Sequence, residues 1–140
     1  MHYLDTSVLA AYYCPEPLSN KVQKALSRLA EPTISPLVEV ELHSALAMKV
    51  RSREMDAATA GQVAAMFQLH LADGHYRVVP IGAREYTLAR TWIAAFNSPL
   101  RTLDALHLAA AFAGDLTLIS ADRAMVRSAR QFGIKHQLIA

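Results

Sequence analysis

Four acidic residues lie at positions of the sequence where a carboxylate could bind a metal ion or take part in catalysis. They are Asp5, Glu41, Asp104 and Asp122. Asp104 is the most unusual, because the only other polar side chain in residues 103–113 (LDALHLAAAFA) is that of His107. A helix that is apolar on every side lies inside a protein, and an unpaired carboxylate there is costly or becomes neutral. Asp104 therefore needs a charged partner, a metal ion or a water-lined pocket.

Three of these acids also have a plainer interpretation as helix caps. Asp5, Asp104 and Asp122 lie at or near the beginnings of predicted helices, where an acidic side chain accepts backbone hydrogen bonds and complements the helix dipole. Capping accounts well for each of them alone. It does not account for an acid that faces the core.

Glu41 is such an acid if its segment, PLVEVELHSALAMKVR, forms the helix that a serine followed by a proline predicts. On the helical wheel Glu41 shares a face with Leu37, Ala45 and Met48, whereas Glu39 points the opposite way. We therefore expect Glu41 on a stripe that faces the core, and only one of the two glutamates in a common cleft.

Carboxylates that meet at one place repel one another strongly unless a divalent cation lies among them, and hard oxygen ligands suit Mg²⁺ or Mn²⁺. A cation held in this way activates water and stabilises an in-line phosphodiester displacement. Thr6 and Ser7 could hold a metal-bound water or a phosphate at a helix N-terminus, or could simply cap that helix. Ser120 has the same two interpretations. The predicted chemistry is phosphodiester hydrolysis.

Arginines flank the acidic helix starts and suggest which kind of substrate could bind there. Arg101, Arg123 and Arg127 could hold a nucleic-acid backbone that the carboxylates would otherwise repel. An ordinary solvated face is the alternative, and it fits Arg130 better. The net charge of +2 permits a polyanionic partner without requiring one.

Other chemistries find little support. We expect His107 and the single Cys14 to be packed core residues. The five glycines form neither a phosphate-binding G-x-x-x-x-G-K-[ST] loop nor a dinucleotide-binding G-x-G-x-x-G turn, and no Cys/His cluster has zinc spacing.

Short β-prone stretches alternate with helical stretches along the chain. Strands are predicted at residues 1–4, 33–35, 76–80, 116–119 and 134–139. The longer helices are predicted at residues 36–51, 54–72, 83–96 and 103–113. This alternation is typical of a parallel sheet with helices on both faces, in which ligands bind beyond the carboxyl ends of the strands. Asp5 and Asp122 fall at that end.

Length and composition favour one domain over residues 1–140, with a large core. Although 53% of the residues are hydrophobic, no apolar run approaches the ~18 residues of a spanning helix. No basic stretch leads into an apolar signal segment at the start, and one cysteine cannot form an internal disulfide. We expect a cytoplasmic protein with no membrane contact.

Four segments together resemble the PIN-domain ribonucleases, in particular the VapC toxins. They are YLDTSVLAAYYCPEP, ISPLVEVELHSALAMKV, LRTLDALHLAAA and LTLISADRAM. The third segment is the most specific, and the four match in order and spacing over nearly the whole chain. One departure is mild, since Ser120 stands where a threonine is common.

The resemblance implies a three-layer α/β/α sandwich around a parallel sheet. It also implies endonucleolytic cleavage of RNA dependent on Mg²⁺ or Mn²⁺, a homodimer, and inhibition by a VapB-type antitoxin. By position, the family's metal-binding acids fall on Asp5, Glu41, Asp104 and Asp122. Residues 45–71 are a candidate for dimer and antitoxin contacts, with core packing as the equal alternative.

Two other functions remain open at the level of sequence. One is a catalytically inactive PIN-like domain that binds RNA or antitoxin and keeps its acids as caps. The other is a phosphatase that uses Asp5 as a nucleophile, although Ser7 occupies the place where a second acid would be expected.

Overall fold

The computed structural model describes residues 1–140, which form three α/β/α layers, as the resemblance implied. The strands are β1 (His2–Leu4), β2 (Pro32–Ile34), β3 (Arg77–Val78), β4 (Thr117–Ser120) and β5 (His136–Leu138). The helices are α1 (Thr6–Tyr13), α2 (Ser19–Leu26), α3 (Pro36–Arg51), α4 (Ala57–Ala72), α5 (Ala83–Ala94), α6 (Thr102–Ala113) and α7 (Arg123–Gln131).

The five strands form one parallel sheet in the order β3-β2-β1-β4-β5. Tyr3 of β1 is aligned with Thr33 of β2 and with Leu118 of β4, so β1 lies at the centre. Helical connections return the chain to the same end of the sheet before each new strand, as parallel pairing requires. Residues that directly follow β1, β2 and β4 therefore meet at one edge.

Helix α6 packs on β1 and β4 and also against α5. Residues 105–111 are all buried, whereas Leu103 and Phe112, near its two ends, are each 48% exposed. The expectation of a buried helix is therefore confirmed for its middle and wrong for its ends. Asp104 lies where the exposed first turn meets the buried part. No helix in the structure has the length and apolarity needed to cross a bilayer.

Helix α3 turns a different face to the core from the one predicted. Its buried residues are Val38, Leu42 and Leu46, and Met48 is 59% exposed. The segment is apolar at so many positions that its periodicity does not fix the rotation of the helix, and packing against α1 and α4 decides it. Glu41 consequently lies beside the buried stripe and not on it.

Several predicted boundaries are wrong by two or three residues. Helix α4 begins at Ala57, because the Asp56 carboxylate accepts the Thr59 backbone N–H at 2.7 Å and caps it there. Helix α5 ends at Ala94, and Phe96 takes a positive φ of 54°. The third strand has only two residues.

We predict that Leu108→Ala lowers the free energy of unfolding by about 2–5 kcal/mol, because Leu108 is fully buried and its truncation leaves a cavity. Leu103→Ala on the same helix is the control, with an expected loss below about 1 kcal/mol because its side chain is half exposed. Urea unfolding of both variants measures the difference. Equal losses would contradict the packing of α6 described above.

Candidate active site

The predicted site residues come from five places around the carboxyl ends of the strands. Asp5 directly follows β1, and Ser120 ends β4, its neighbour in the sheet. Helix α3 supplies Glu41, the first turn of α6 supplies Asp104, and the residue before α7 is Asp122.

Asp5 is the deepest of the acids, with 3% of its surface exposed. Its Oδ1 accepts a hydrogen bond from Ser7 Oγ at 2.6 Å and from the Val8 backbone N–H at 3.2 Å, and its Oδ2 accepts one from Ser120 Oγ. Burial raises the pKa of Asp5, and the two serine hydroxyls oppose that shift only in part. Asp5 therefore caps α1, as its plainer interpretation predicted, and burial also disfavours its ionised form.

The two serine hydroxyls join the ends of β1 and β4. Ser7 Oγ accepts the Ala121 backbone N–H at 3.0 Å, and Ser120 Oγ accepts the Asp122 backbone N–H at 3.0 Å. Each hydroxyl thus accepts from the loop after β4 and donates to Asp5. Neither serine caps a helix, so the capping interpretation of Ser120 is wrong.

Asp122 is the N-cap of α7. Its Oδ1 accepts the backbone N–H groups of Ala124 at 2.8 Å and Met125 at 3.3 Å. The residue is exposed, so its carboxylate faces solvent at the rim of the site. Capping occupies one oxygen and leaves the other available to a ligand.

Glu41 is held from two sides. Its Oε1 accepts a hydrogen bond from Thr6 Oγ1 at 2.9 Å and another from His107 Nε2. Burial works to raise the pKa of Glu41, but the hydrogen bond and charge of His107 and the bond from Thr6 outweigh it, and the net shift is downward. Glu39 instead accepts a hydrogen bond from Gln68 of α4 at 3.0 Å, so only one of the two glutamates faces the site, as predicted.

Asp104 has the opposite electrostatic environment. Burial and the negative charges of Asp122 and Glu41 raise its pKa, and the charges of His107 and Arg101 offset only part of the increase. Three of the four acids are therefore close enough to influence one ionisation, and their repulsion disfavours the ionised state of Asp104. Such a site is stabilised by a bound cation.

The types of side chain at the site suit a metal ion, but their arrangement in this structure does not form a complete set of ligands. Four carboxylates with neighbouring hydroxyls have the chemistry that Mg²⁺ and Mn²⁺ prefer. However, no group of three or more His, Cys, Asp or Glu side chains is arranged to hold a metal in this structure. Both oxygens of Asp5 and one of Glu41 are engaged by hydroxyl or imidazole groups. The residues fit a hard cation by type, without forming a preassembled set of ligands.

The predicted supporting residues fall into two groups. The Thr6 and Ser7 hydroxyls contact Glu41 and Asp5, so in this structure they orient acids. The predicted nucleic-acid contacts are exposed residues around the same edge, namely Arg101, Arg123 and Arg127.

A buried polar group behind Glu41 was not predicted as part of the site. Tyr3, which is fully buried, places its hydroxyl 2.7 Å from Ser35 Oγ and 2.8 Å from His107 Nδ1. His107 is buried as expected, yet it also contacts Glu41. The one signal in the sequence is the tyrosine in the short first strand, because a buried tyrosine hydroxyl needs a partner.

Comparison with known proteins places this arrangement in a family. The sequence profile of the PIN domain matches residues 2–131. The chain belongs to the PIN domain family. No curated protein sequence matches this PIN domain.

Three solved structures with the same fold illustrate the similarity. FitAcB from Neisseria gonorrhoeae is 18% identical with a TM-score of 0.70, and the alignment covers 97% of this PIN domain and 96% of that chain. VapC20 from Mycobacterium tuberculosis, described as a sarcin-ricin loop cleaving toxin, is 17% identical with a TM-score of 0.72. The alignment covers 91% of this PIN domain and 95% of that chain. A toxin-antitoxin complex from Klebsiella pneumoniae is 15% identical with a TM-score of 0.63 over 87% of each chain.

We predict that Asp104→Asn stabilises the metal-free PIN domain. Because the folded pKa of Asp104 is raised, its ionisation is resisted by the folded state, and the penalty is complete once the pH exceeds that pKa. In EDTA at about pH 7 we expect the free energy of unfolding to rise by up to about 1 kcal/mol, a value that allows for solvent screening at a half-buried group. Below about pH 3 the gain should vanish, because Asp104 is then largely protonated in both states.

The control is Asp115→Asn, an exposed acid at a positive φ that asparagine tolerates. It should leave stability nearly unchanged at either pH. Urea unfolding in EDTA measures both variants. An Asp104→Asn protein no more stable than wild type at neutral pH would contradict the repulsion described here.

Proposed function

We propose that this PIN domain is an endoribonuclease toxin of the VapC type, dependent on Mg²⁺ or Mn²⁺ and neutralised by a cognate antitoxin. The observation that carries the proposal is that Asp5, Glu41, Asp104 and Asp122 lie around the carboxyl ends of β1 and β4, where two serine hydroxyls join Asp5 to the loop before Asp122 and His107 of α6 contacts Glu41 of α3. Acids that destabilise one another without a cation are typical of a functional site.

The four acids have distinct parts in the proposed reaction. A divalent cation bound here would supply activation of water and charge stabilisation for an in-line phosphodiester displacement. The residues that would hold it are Asp5, which is buried and fixed by three donors at the end of β1, Asp104 and Asp122 on the solvent side, and Glu41 of α3. The neighbouring hydroxyls of Thr6 and Ser7 keep two of these carboxylates in place.

An RNA substrate is supported by the charges around the rim and by the structural neighbours. Arg101 and Arg123 are exposed next to Asp104 and Asp122, where they can bind the phosphates on either side of the reacting group. One neighbour with this fold cleaves the sarcin-ricin loop, by its description. The substrate's identity within RNA depends on surface shape and contacts to exposed bases.

An antitoxin partner and a homodimer are supported by exposed apolar side chains. In the predicted contact region, residues 45–71, Met48, Met66 and Leu69 are each more than half exposed. Other residues of the same region, such as Val63, pack inward around Cys14, so both interpretations of the region apply in part. A neighbour with this fold is a toxin-antitoxin complex. We place the protein in the cytoplasm, where such a partner and a free cysteine are expected.

The decisive test is loss of cleavage on removal of a single acid. We predict that Asp5→Asn and Asp104→Asn each lower kcat/KM for RNA cleavage by at least about 100-fold, more than outer partners of a metal usually contribute. Asp115→Asn, on the surface beside Lys135, should retain wild-type activity. Circular dichroism checks folding. Cleavage that continues in EDTA, or in either substituted protein, would contradict the proposal.

We further predict that Arg101→Gln combined with Arg123→Gln weakens RNA binding in a salt-dependent way. Each lost phosphate contact should reduce the slope of log affinity against log salt by about 0.7–1. Fluorescence anisotropy in EDTA measures binding without cleavage. The control is Arg28→Gln, since Arg28 precedes β2 and lies at the opposite end of the strands. An unchanged slope in the double variant would exclude these arginines from the RNA interface.

A catalytically inactive binding domain is the second candidate. It is favoured by the hydrogen bonds that engage Asp5 and Glu41 and by the lack of a preassembled ligand group. The same experiments separate the two functions: an inactive domain would bind RNA or antitoxin with no thermal shift on adding Mn²⁺ and no cleavage.

A further inference from the structure

A line of buried hydrogen bonds leads from the core to Glu41. Ser35 Oγ lies 2.7 Å from the Tyr3 hydroxyl, the Tyr3 hydroxyl lies 2.8 Å from His107 Nδ1, and His107 Nε2 contacts Glu41 Oε1. Ser35, Tyr3 and His107 are each no more than 2% exposed. We refer to these three residues as the Ser35–Tyr3–His107 network.

The donors in this network can be assigned a single direction. A carboxylate oxygen only accepts, so His107 Nε2–H donates to Glu41. In the tautomer that carries its proton on Nε2, Nδ1 accepts from the Tyr3 hydroxyl, and the Ser35 hydroxyl donates to the Tyr3 oxygen. This direction gives each donor one acceptor, with no buried proton left over.

Ser35 supports this assignment independently. It occupies the N-cap of α3, where a serine hydroxyl normally accepts a backbone N–H, yet it makes no side-chain cap bond. Its hydroxyl is directed to Tyr3 instead. The helix that carries Glu41 thus begins at a residue whose side chain serves the network behind Glu41.

We propose that the Ser35–Tyr3–His107 network is a positioning device that fixes the Glu41 carboxylate toward the cation. The inference rests on the proposed function. Glu41 lies on the side of a helix, where no backbone N–H is free to orient its carboxylate, unlike Asp5 and Asp122, which accept backbone N–H groups at helix starts. His107 and Thr6 do so in place of a cap. Outer partners of this kind typically change metal affinity or activity by about 10–100-fold.

Tyr3→Phe tests the network with little change in shape. We expect its dissociation constant for Mn²⁺, measured calorimetrically without RNA, to rise by about 10-fold. The matched control is Tyr13→Phe, which removes a hydroxyl that lies 2.6 Å from His70 Nδ1 at the other end of α1. That variant should bind Mn²⁺ as wild type does. Equal affinities of wild type and Tyr3→Phe, or equal losses in the two variants, would overturn the proposal.

The same substitution in a Glu41→Gln protein distinguishes positioning of Glu41 from a general loss of packing in the core. If Tyr3 acts through Glu41, then Tyr3→Phe should change Mn²⁺ affinity less than twofold in a Glu41→Gln protein. A further 10-fold loss in that background would show that the tyrosine acts on the whole site, and the proposal would be wrong.

The imidazole of His107 gives a readout that needs neither metal nor RNA. Long-range proton–nitrogen correlation spectra of the metal-free protein should show a protonated Nε2 in wild type and a loss of that single state in Tyr3→Phe. An unprotonated Nε2 in wild type would refute the network even if the protein cleaves RNA. A protonated Nε2 in a protein that neither binds Mn²⁺ nor cleaves RNA would instead refute the proposed function and, with it, the role toward a cation.

Discussion

The carboxylate of Asp5 is buried at the end of the central strand, and much of the surrounding structure is arranged to tolerate its charge. Ser7, Val8 and Ser120 donate to its two oxygens. The serines in turn accept backbone N–H groups from the loop after β4, which fixes the start of α7 and therefore Asp122. The burial of one acid thus determines where a second one lies.

The remaining acids differ in how well the fold compensates their charges. Contacts with His107 and Thr6 stabilise the ionised form of Glu41, and its pKa is lowered. Burial and two negative neighbours destabilise the ionised form of Asp104, and its pKa is raised. The uneven compensation leaves an energetic demand for positive charge at the carboxyl edge of the sheet, which is where parallel α/β proteins bind ligands.

The parts of this architecture that depend on local sequence were predictable. Apolar strand ends followed by Asp5 and by Ser120 predict both the sheet and its functional edge. The rotation of α3 was not predictable, because Leu37 and Val38 are equally apolar and only contacts with other helices choose between them. The contact of His107 with Glu41 joins residues 66 positions apart and forms only when α3 and α6 are packed on the sheet.

We propose that the four acids, each from a separate element, bind one cation. Carboxyl carbon-13 shifts of labelled aspartate and glutamate, followed by NMR during a Mg²⁺ titration, test it most directly. The signals of the four acids should move together and saturate with one dissociation constant if Asp5, Glu41, Asp104 and Asp122 bind the same ion. Shifts that do not saturate, or that occur at Asp122 while Asp5 and Glu41 stay unchanged, would contradict it.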